Sequence, residues 1–272
     1  MIKEIKKLYD KYNEELKEVR SIQKERALTL SLQGKPAILT YEQFDDIDQY
    51  CQFDDIEAEL LYMFIREYQP EHMIEFSPMG GWSTSWILEA LNRNNKGKCV
   101  SYDLVDNSKV NLSKLDLNKE RWELVQGDVQ QQYSSFDFDS IDFIFIDSDH
   151  STEFAERYVQ EVLVPAKESY ESRGKKIPVF IHDVFGQFAF SAQEGEVVRR
   201  FLFENEIEHI TPSILGPEAQ EFESIRAEIG LTEYLVHKST INPVVIFKLG
   251  APKTKPVKKI NKPETKYSNE YE

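Results

Sequence analysis

Four residues past the middle of the chain, Asp147, His150, His182 and Asp183, have the types and spacing of an oxygen-rich cation site with a proton acceptor beside it. Asp147 closes the apolar run Ile141-Asp142-Phe143-Ile144-Phe145-Ile146, and His182-Asp183 closes Pro178-Val179-Phe180-Ile181. Each run reads as a buried strand. The two aspartates lie 36 residues apart, but neighbouring parallel strands would bring their carboxylates to one rim. Two carboxylates and an imidazole suit a hard divalent cation such as Mg²⁺, which takes few protein ligands and keeps water or substrate oxygens in its other positions. Asp147, His182 and Asp183 are therefore the expected ligands. His150 follows Asp147 by about one helical turn, and a neutral imidazole there has the pKa range to take a proton from a hydroxyl. Bland uses of the same residues compete: His182 could be a buried histidine satisfied by backbone, and Asp149 and Ser151 suit the N-cap of a following helix.

The elements that must position these groups begin upstream. Glu75-Phe76-Ser77-Pro78-Met79-Gly80-Gly81-Trp82-Ser83-Thr84 follows the apolar run His72-Met73-Ile74 and precedes a helical pattern. A glycine-bearing turn there lets backbone approach a ligand, the first helical turn offers free N–H groups, and a carboxylate can accept from hydroxyl or ammonium groups. An ordinary strand-to-helix turn would read the same over these residues. A further run, Cys99-Val100-Ser101-Tyr102, ends in Asp103, 22 residues after Gly81, where an acid can take both hydroxyls of a ribose. Trp122-Glu123-Leu124-Val125-Gln126 ends in Gly127-Asp128, and Asp128 could also simply cap a turn. All five strand candidates thus finish on polar or acidic residues, and in open α/β sheets the ligand crevice lies outside the carboxyl ends of the strands.

This ordered set resembles the class I S-adenosylmethionine-dependent methyltransferases over roughly residues 55–250. The resemblance implies that Glu75, Ser77, Gly81, Ser83, Thr84, Asp103 and Asp128 hold S-adenosyl-L-methionine, Asp128 on the adenine side. Ser77 stands where the commonest form of the first motif has glycine. Asp147-x-x-His150, with a polar-acidic pair after the fifth strand, is similar to metal-dependent sugar O-methyltransferases of the macrolide-tailoring type. That group usually carries two carboxylates where this chain has His182-Asp183, which leaves the identity of the metal open. The implied reaction is methyl transfer to a hydroxyl of a sugar, glycan or other small molecule, with the cation, expected to be Mg²⁺, on Asp147, His182 and Asp183 and His150 taking the proton. Two rivals stay open: a metal-dependent hydroxylase on the same fold, and a non-catalytic binding or assembly protein with a relic pocket.

Strand and helix patterns alternate along the centre: strands ending at Glu75 and Asp103, then 122–126, 141–146 and 178–181, with helices over 83–93, 152–170 and 194–205. This predicts a Rossmann-like, seven-stranded, mostly parallel sheet with helices on both faces. Residues 233–237 and 244–248 read as a closing antiparallel hairpin. Residues 1–54 form a helical N-terminal extension in which Ile2, Ile5, Tyr9, Tyr12, Leu16 and Val19 make a heptad seam, packing on the chain's own domain or on a sister subunit in a homo-oligomer. The acidic, aromatic stretch 41–55 could cover the cofactor as a lid or be a surface loop. Residues 251–272, with few apolar side chains, read as a disordered tail after the 55–250 domain.

Composition bounds the rest. The 272 residues can bury one sizeable core. A net charge of -15 argues against a nucleic-acid groove as the main surface, since phosphate binding needs clustered Lys and Arg. Cys51 and Cys99 have no metal or redox spacing, no apolar stretch approaches the ~20 residues of a membrane span, and the first residues lack an apolar signal core. A cytoplasmic protein with no membrane or nucleic-acid partner is the expectation.

Overall fold

A computed structural model describes residues 1–30, 53–184, 189–212, 219–235 and 244–250. Five parallel strands carry the centre: β1 (His72–Phe76), β2 (Lys98–Asp103), β3 (Trp122–Gln126), β4 (Phe143–Ile146) and β5 (Ile177–Ile181). With β6 (His209–Ile210) and β7 (Val245–Leu249) they form a seven-stranded sheet in the order β3-β2-β1-β4-β5-β7-β6, β7 running antiparallel to β5 and β6. Strand order reverses between β1 and β4, the switch point where a crevice opens above the carboxyl ends. Register sets what meets there: Glu75 lies opposite Ser101 and Phe145, and Ile146 opposite Ile181, so Asp147 and His182 leave the sheet side by side.

The closing pair differs from the expectation. Residues 233–235 lie in no strand, 236–243 are outside the described residues, and the outer partner of β7 is β6, a two-residue ladder. Two residues are too few to show period-two alternation, which is why the sequence did not mark them.

Helices α1 (Ile2–Leu30), α2 (Asp55–Tyr68), α3 (Trp82–Asn94), α4 (Asn107–Leu112), α5 (Thr152–Tyr158), α6 (Val164–Arg173), α7 (Ala189–Glu204) and α8 (Ala219–Glu228) flank the sheet. The helix expected over 152–170 is interrupted: a π turn at Val159–Leu163 separates α5 from α6. Pro165 has no N–H to donate to the preceding turn, so a regular α ladder cannot run through it.

One core holds the buried faces of α1, α2 and α3 with Phe143, Phe145 and Phe180; the other holds those of α5 and α7 with Ile144, Ile146 and Ile181. The seam Ile5, Tyr9, Tyr12, Leu16 and Val19 is buried in the first core, Ile2 half-buried. It is therefore covered by the chain itself and does not face outward for a sister subunit. Buried charges fix it. Arg20 pairs with Asp55 at 3.0 Å and with Glu59, Arg226 of α8 pairs with Glu59 at 2.9 Å, and the Tyr9 hydroxyl donates to Glu59 at 2.8 Å. The boundary expected at residue 54 does not separate two cores, because α1 shares one with α2. Residues 41–52 of the expected lid, Cys51 and the expected tail lie outside the described residues, while Phe53 is buried and Asp54 caps α2. No described helix is long and apolar enough to cross a membrane.

Candidate functional site

The turn after β1 is built on unusual backbone. Gly81, the N-cap of α3, has φ 85°, and a Cβ there would come within 3.0 Å of the Leu112 side chain. Ser77, Met79 and Asp183 also have positive φ, at 54°, 48° and 58°. The other described non-glycine residues of this kind, Gln69, Asn95 and Glu206, sit at or just beyond helix C-termini, where a left-handed residue is ordinary. Those three at strand ends have no such excuse, and strain of this kind gathers at ligand sites.

Beneath the turn lies Glu75, at 0% exposure. Its carboxylate accepts from Ser83 at 2.7 Å, from Thr84 at 2.9 Å and from Ser101. The expectation of a ligand-facing carboxylate is corrected: both oxygens are engaged within the protein, and Thr84 is as deeply buried. Burial pushes the Glu75 pKa up to about 7, the three hydroxyls offsetting part of it. Asp103, nearly buried, accepts from Met79 N–H at 2.9 Å and Val105 N–H at 3.2 Å, tying the turn to β2. The Ser77 hydroxyl donates to Ser148 at 2.7 Å across to β4. Asp128 caps a short 3-10 turn through Gln130 N–H at 2.9 Å and stays half-buried. Ser77, Gly81, Ser83, Asp103 and Asp128 thus lie at or just beyond the carboxyl ends of β1, β2 and β3, around the strained turn and the start of α3.

At the ends of β4 and β5 the structure brings Asp147, His150, His182 and Asp183 together. Asp147, His150 and Asp183 each offer a ligand atom, all within 4.8 Å of one another. Two carboxylates and an imidazole suit a hard cation. His182 is 5% exposed and lies behind the aspartates, its Nε2 3.0 Å from Glu57 and its Nδ1 3.3 Å from Asp147 and 3.4 Å from Asp183. Burial lowers its pKa, but Asp183, Asp147 and Glu57 outweigh that and raise it well above the usual range. His182 thus faces three carboxylates at once, Glu57 on one nitrogen and Asp147 and Asp183 on the other. Burial raises Asp147 too, yet His182 holds it below its ordinary value. Asp183 is pushed up to about 6, by burial and then by Asp147, against the pull of His182.

His150 is anchored from a residue the sequence reading missed. Its Nδ1 lies 2.7 Å from Glu194, whose other oxygen accepts from the Tyr158 hydroxyl at 2.8 Å; its Nε2 lies 3.8 Å from Asp183. Burial would lower the His150 pKa, but the hydrogen bond and charge of Glu194, with Asp147 and Asp183, raise it. A signal was present: Glu194 occupies the apolar stripe of Val197, Val198 and Phe201, and Glu57 that of Leu60, Leu61 and Phe64. An acid at a core-facing position needs a partner.

Residues 79–168 match the family described as a methyltransferase domain. No curated protein matches the chain in sequence. Solved structures of similar fold include a Staphylococcus aureus protein described as a caffeoyl-CoA O-methyltransferase, 10% identical over 77% of this chain and 90% of its own, TM-score 0.50. A Bacillus cereus O-methyltransferase in complex with SAH is 15% identical over 88% of this chain and 90% of its own, TM-score 0.48. The Streptomyces achromogenes O-methyltransferase involved in tomaymycin synthesis, in complex with SAM, is 14% identical over 84% and 89%, TM-score 0.48. At 10% identity the likeness to the Staphylococcus aureus protein speaks to the fold alone. The matched span covers the turn after β1 and the strands from β2 to β4, on an open α/β sheet whose order reverses between β1 and β4. Over residues 79–168 the chain matches a methyltransferase domain family, carried here on an open, mostly parallel α/β sheet.

Proposed function

We propose that this domain transfers the methyl group of S-adenosyl-L-methionine to a hydroxyl oxygen of a small-molecule acceptor, a sugar, glycan or polyol, assisted by a divalent cation on Asp147 and Asp183. One observation carries the reading: His150, fixed by Glu194 through Nδ1, turns Nε2 toward two rim carboxylates at the ends of β4 and β5. In this proposal the turn 77–81, the first N–H groups of α3 and Asp103 hold the cofactor. Glu75, Ser83 and Thr84 brace that turn from below, and Asp128 borders the adenine side. The cofactor supplies a methyl already activated on sulfonium, and Mg²⁺ would supply positive charge that favours loss of the acceptor proton. His150 accepts that proton at Nε2. His182 balances the charge of the aspartates, and the rim aligns the acceptor oxygen, the main remaining demand of the transfer. A chain of net charge -15 repels nucleic-acid phosphates, which favours a small acceptor.

The proximity of His150 to both aspartates favours a second reading, in which His150 is a third cation ligand. Incubating protein and S-adenosylmethionine with a panel of sugars, glycans and polyols, and reading methylated product by mass spectrometry, tests both. Chelator should abolish product and Mg²⁺ restore it. His150→Ala should bind cofactor and cation normally while the rate falls about 10²–10⁴-fold; a parallel loss of cation affinity selects the second reading. Absence of S-adenosylmethionine binding by calorimetry overturns the proposal.

A further inference from the structure

We infer that Glu194, supported by Tyr158, is a positioning residue for His150: it fixes which ring nitrogen carries the proton and aims the other at the rim. The inference rests on the reading of His150 as the acceptor of the substrate proton. An ionised carboxylate accepts and does not donate, so against ionised Glu194 the 2.7 Å contact places the neutral ring's proton on Nδ1 and its lone pair on Nε2. Nε2 is the nitrogen on the Asp183 side. The Tyr158 hydroxyl, at 2.8 Å from the second oxygen, stops the carboxylate from rotating away. Tyr158 is fully buried and ends α5 where the π turn begins; Glu194, 1% exposed, comes from α7. The ring is therefore clamped by two helices that pack together in one core.

A purely structural account of Glu194 is the weaker one. Its neighbours on the same helix face are Val197, Val198 and Phe201, and a well-packed apolar side chain there would match or exceed a buried ion pair in stability. A carboxylate at that position is explained by what it does to the imidazole. The same logic orients the base histidine in hydrolytic triads, where the carboxylate holds tautomer and direction and remains ionised. Glu194 touches neither acceptor nor cofactor in this scheme; it acts through His150 alone.

The test joins a kinetic split to a readout that needs no turnover. Nitrogen-15 NMR of the full chain above pH 9, with the His150 signals assigned from their loss in His150→Gln, should show the proton on Nδ1. In Glu194→Gln the amide can donate as well as accept, so the tautomer should become mixed. The maximal rate should fall about 10²-fold or more, with acceptor KM and S-adenosylmethionine affinity within twofold of the parent. Tyr158→Phe, which removes the hydroxyl and keeps the ring, should lower the maximal rate several-fold with KM unchanged, and stands in if Glu194→Gln does not fold. A proton on Nε2 in the parent protein, or an unchanged rate in either folded variant of an active enzyme, overturns the inference. A parent that methylates nothing in the panel, yet shows the Nδ1 tautomer lost in Glu194→Gln, overturns the O-methyl reading and leaves the clamp standing.

Discussion

Glu75 makes the stability of this domain depend on pH in a direction opposite to most carboxylates. Its folded-state pKa is pushed by burial to about 7 from an ordinary 4.5. The folded protein therefore keeps the proton over a range where the unfolded chain has released it. The stability linked to this proton is fully present below the unfolded value and is lost as pH rises through the folded one. At roughly 1.4 kcal/mol per tenfold change in proton affinity, the whole effect is about 3 kcal/mol, most of it falling between pH 5 and 8. Glu75→Gln keeps the size and an acceptor oxygen for the hydroxyls of Ser83, Thr84 and Ser101 but cannot titrate. Urea unfolding of both proteins at pH 5 and pH 8 isolates the residue, because Asp183, His182 and the overall charge titrate alike in each. The variant should gain about 2–3 kcal/mol relative to the parent on going from pH 5 to pH 8. A difference between the two proteins that is the same at both pH values would refute the account of a buried, protonated Glu75.

Asp103→Ala removes an acceptor from Met79 and Val105 N–H and frees the turn, so S-adenosylmethionine affinity by calorimetry should drop tenfold or more; an unchanged Kd in a folded variant means the ribose is held elsewhere. Asp147→Asn and Asp183→Asn should each weaken Mg²⁺ binding, with lost activity partly recovered at high Mg²⁺; full activity of both in the presence of chelator ends the cation scheme. Arg226→Ala leaves Glu59 with the Arg20 guanidinium and the Tyr9 hydroxyl in a fully buried site and should cost on the order of 3–5 kcal/mol in urea unfolding, whereas a loss near zero would show that α1 and α8 are not held by this network.

The sheet was legible because most of its parallel strands are short apolar runs that stop on a polar or acidic residue, as Phe76-Ser77, Tyr102-Asp103, Ile146-Asp147 and Ile181-His182 do. Those stops are where strands leave the core for the crevice, so one pattern reports both fold and site. The seam of α1 was legible as well, but not its partner, since Arg20, Glu59 and Arg226 come from three distant helices. What failed was reading charge by local period. The helix over 152–170 ignored Pro165, and the hairpin assignment overlooked β6 because two residues carry no period. Glu57 and Glu194 drew no notice in the sequence, although each occupies an apolar stripe.

Those two acids show how the site is held. His182 and His150 lie on either side of the Asp147–Asp183 pair, and each is tied to one buried glutamate. Glu57 belongs to α2, packed in the core on one side of the sheet, and Glu194 to α7, packed in the other. The carboxylates at the ends of β4 and β5 are thus braced from both layers through an imidazole apiece, and their spacing follows how both helix layers sit on the sheet. Asp55, two residues before Glu57, is the partner of Arg20, so α1 fixes the start of α2 close to the brace itself. A helical N-terminus that looks like an appendage in the sequence is therefore part of what places the rim, and the distance from α1 to the site is spanned by ion pairs rather than by apolar contact alone.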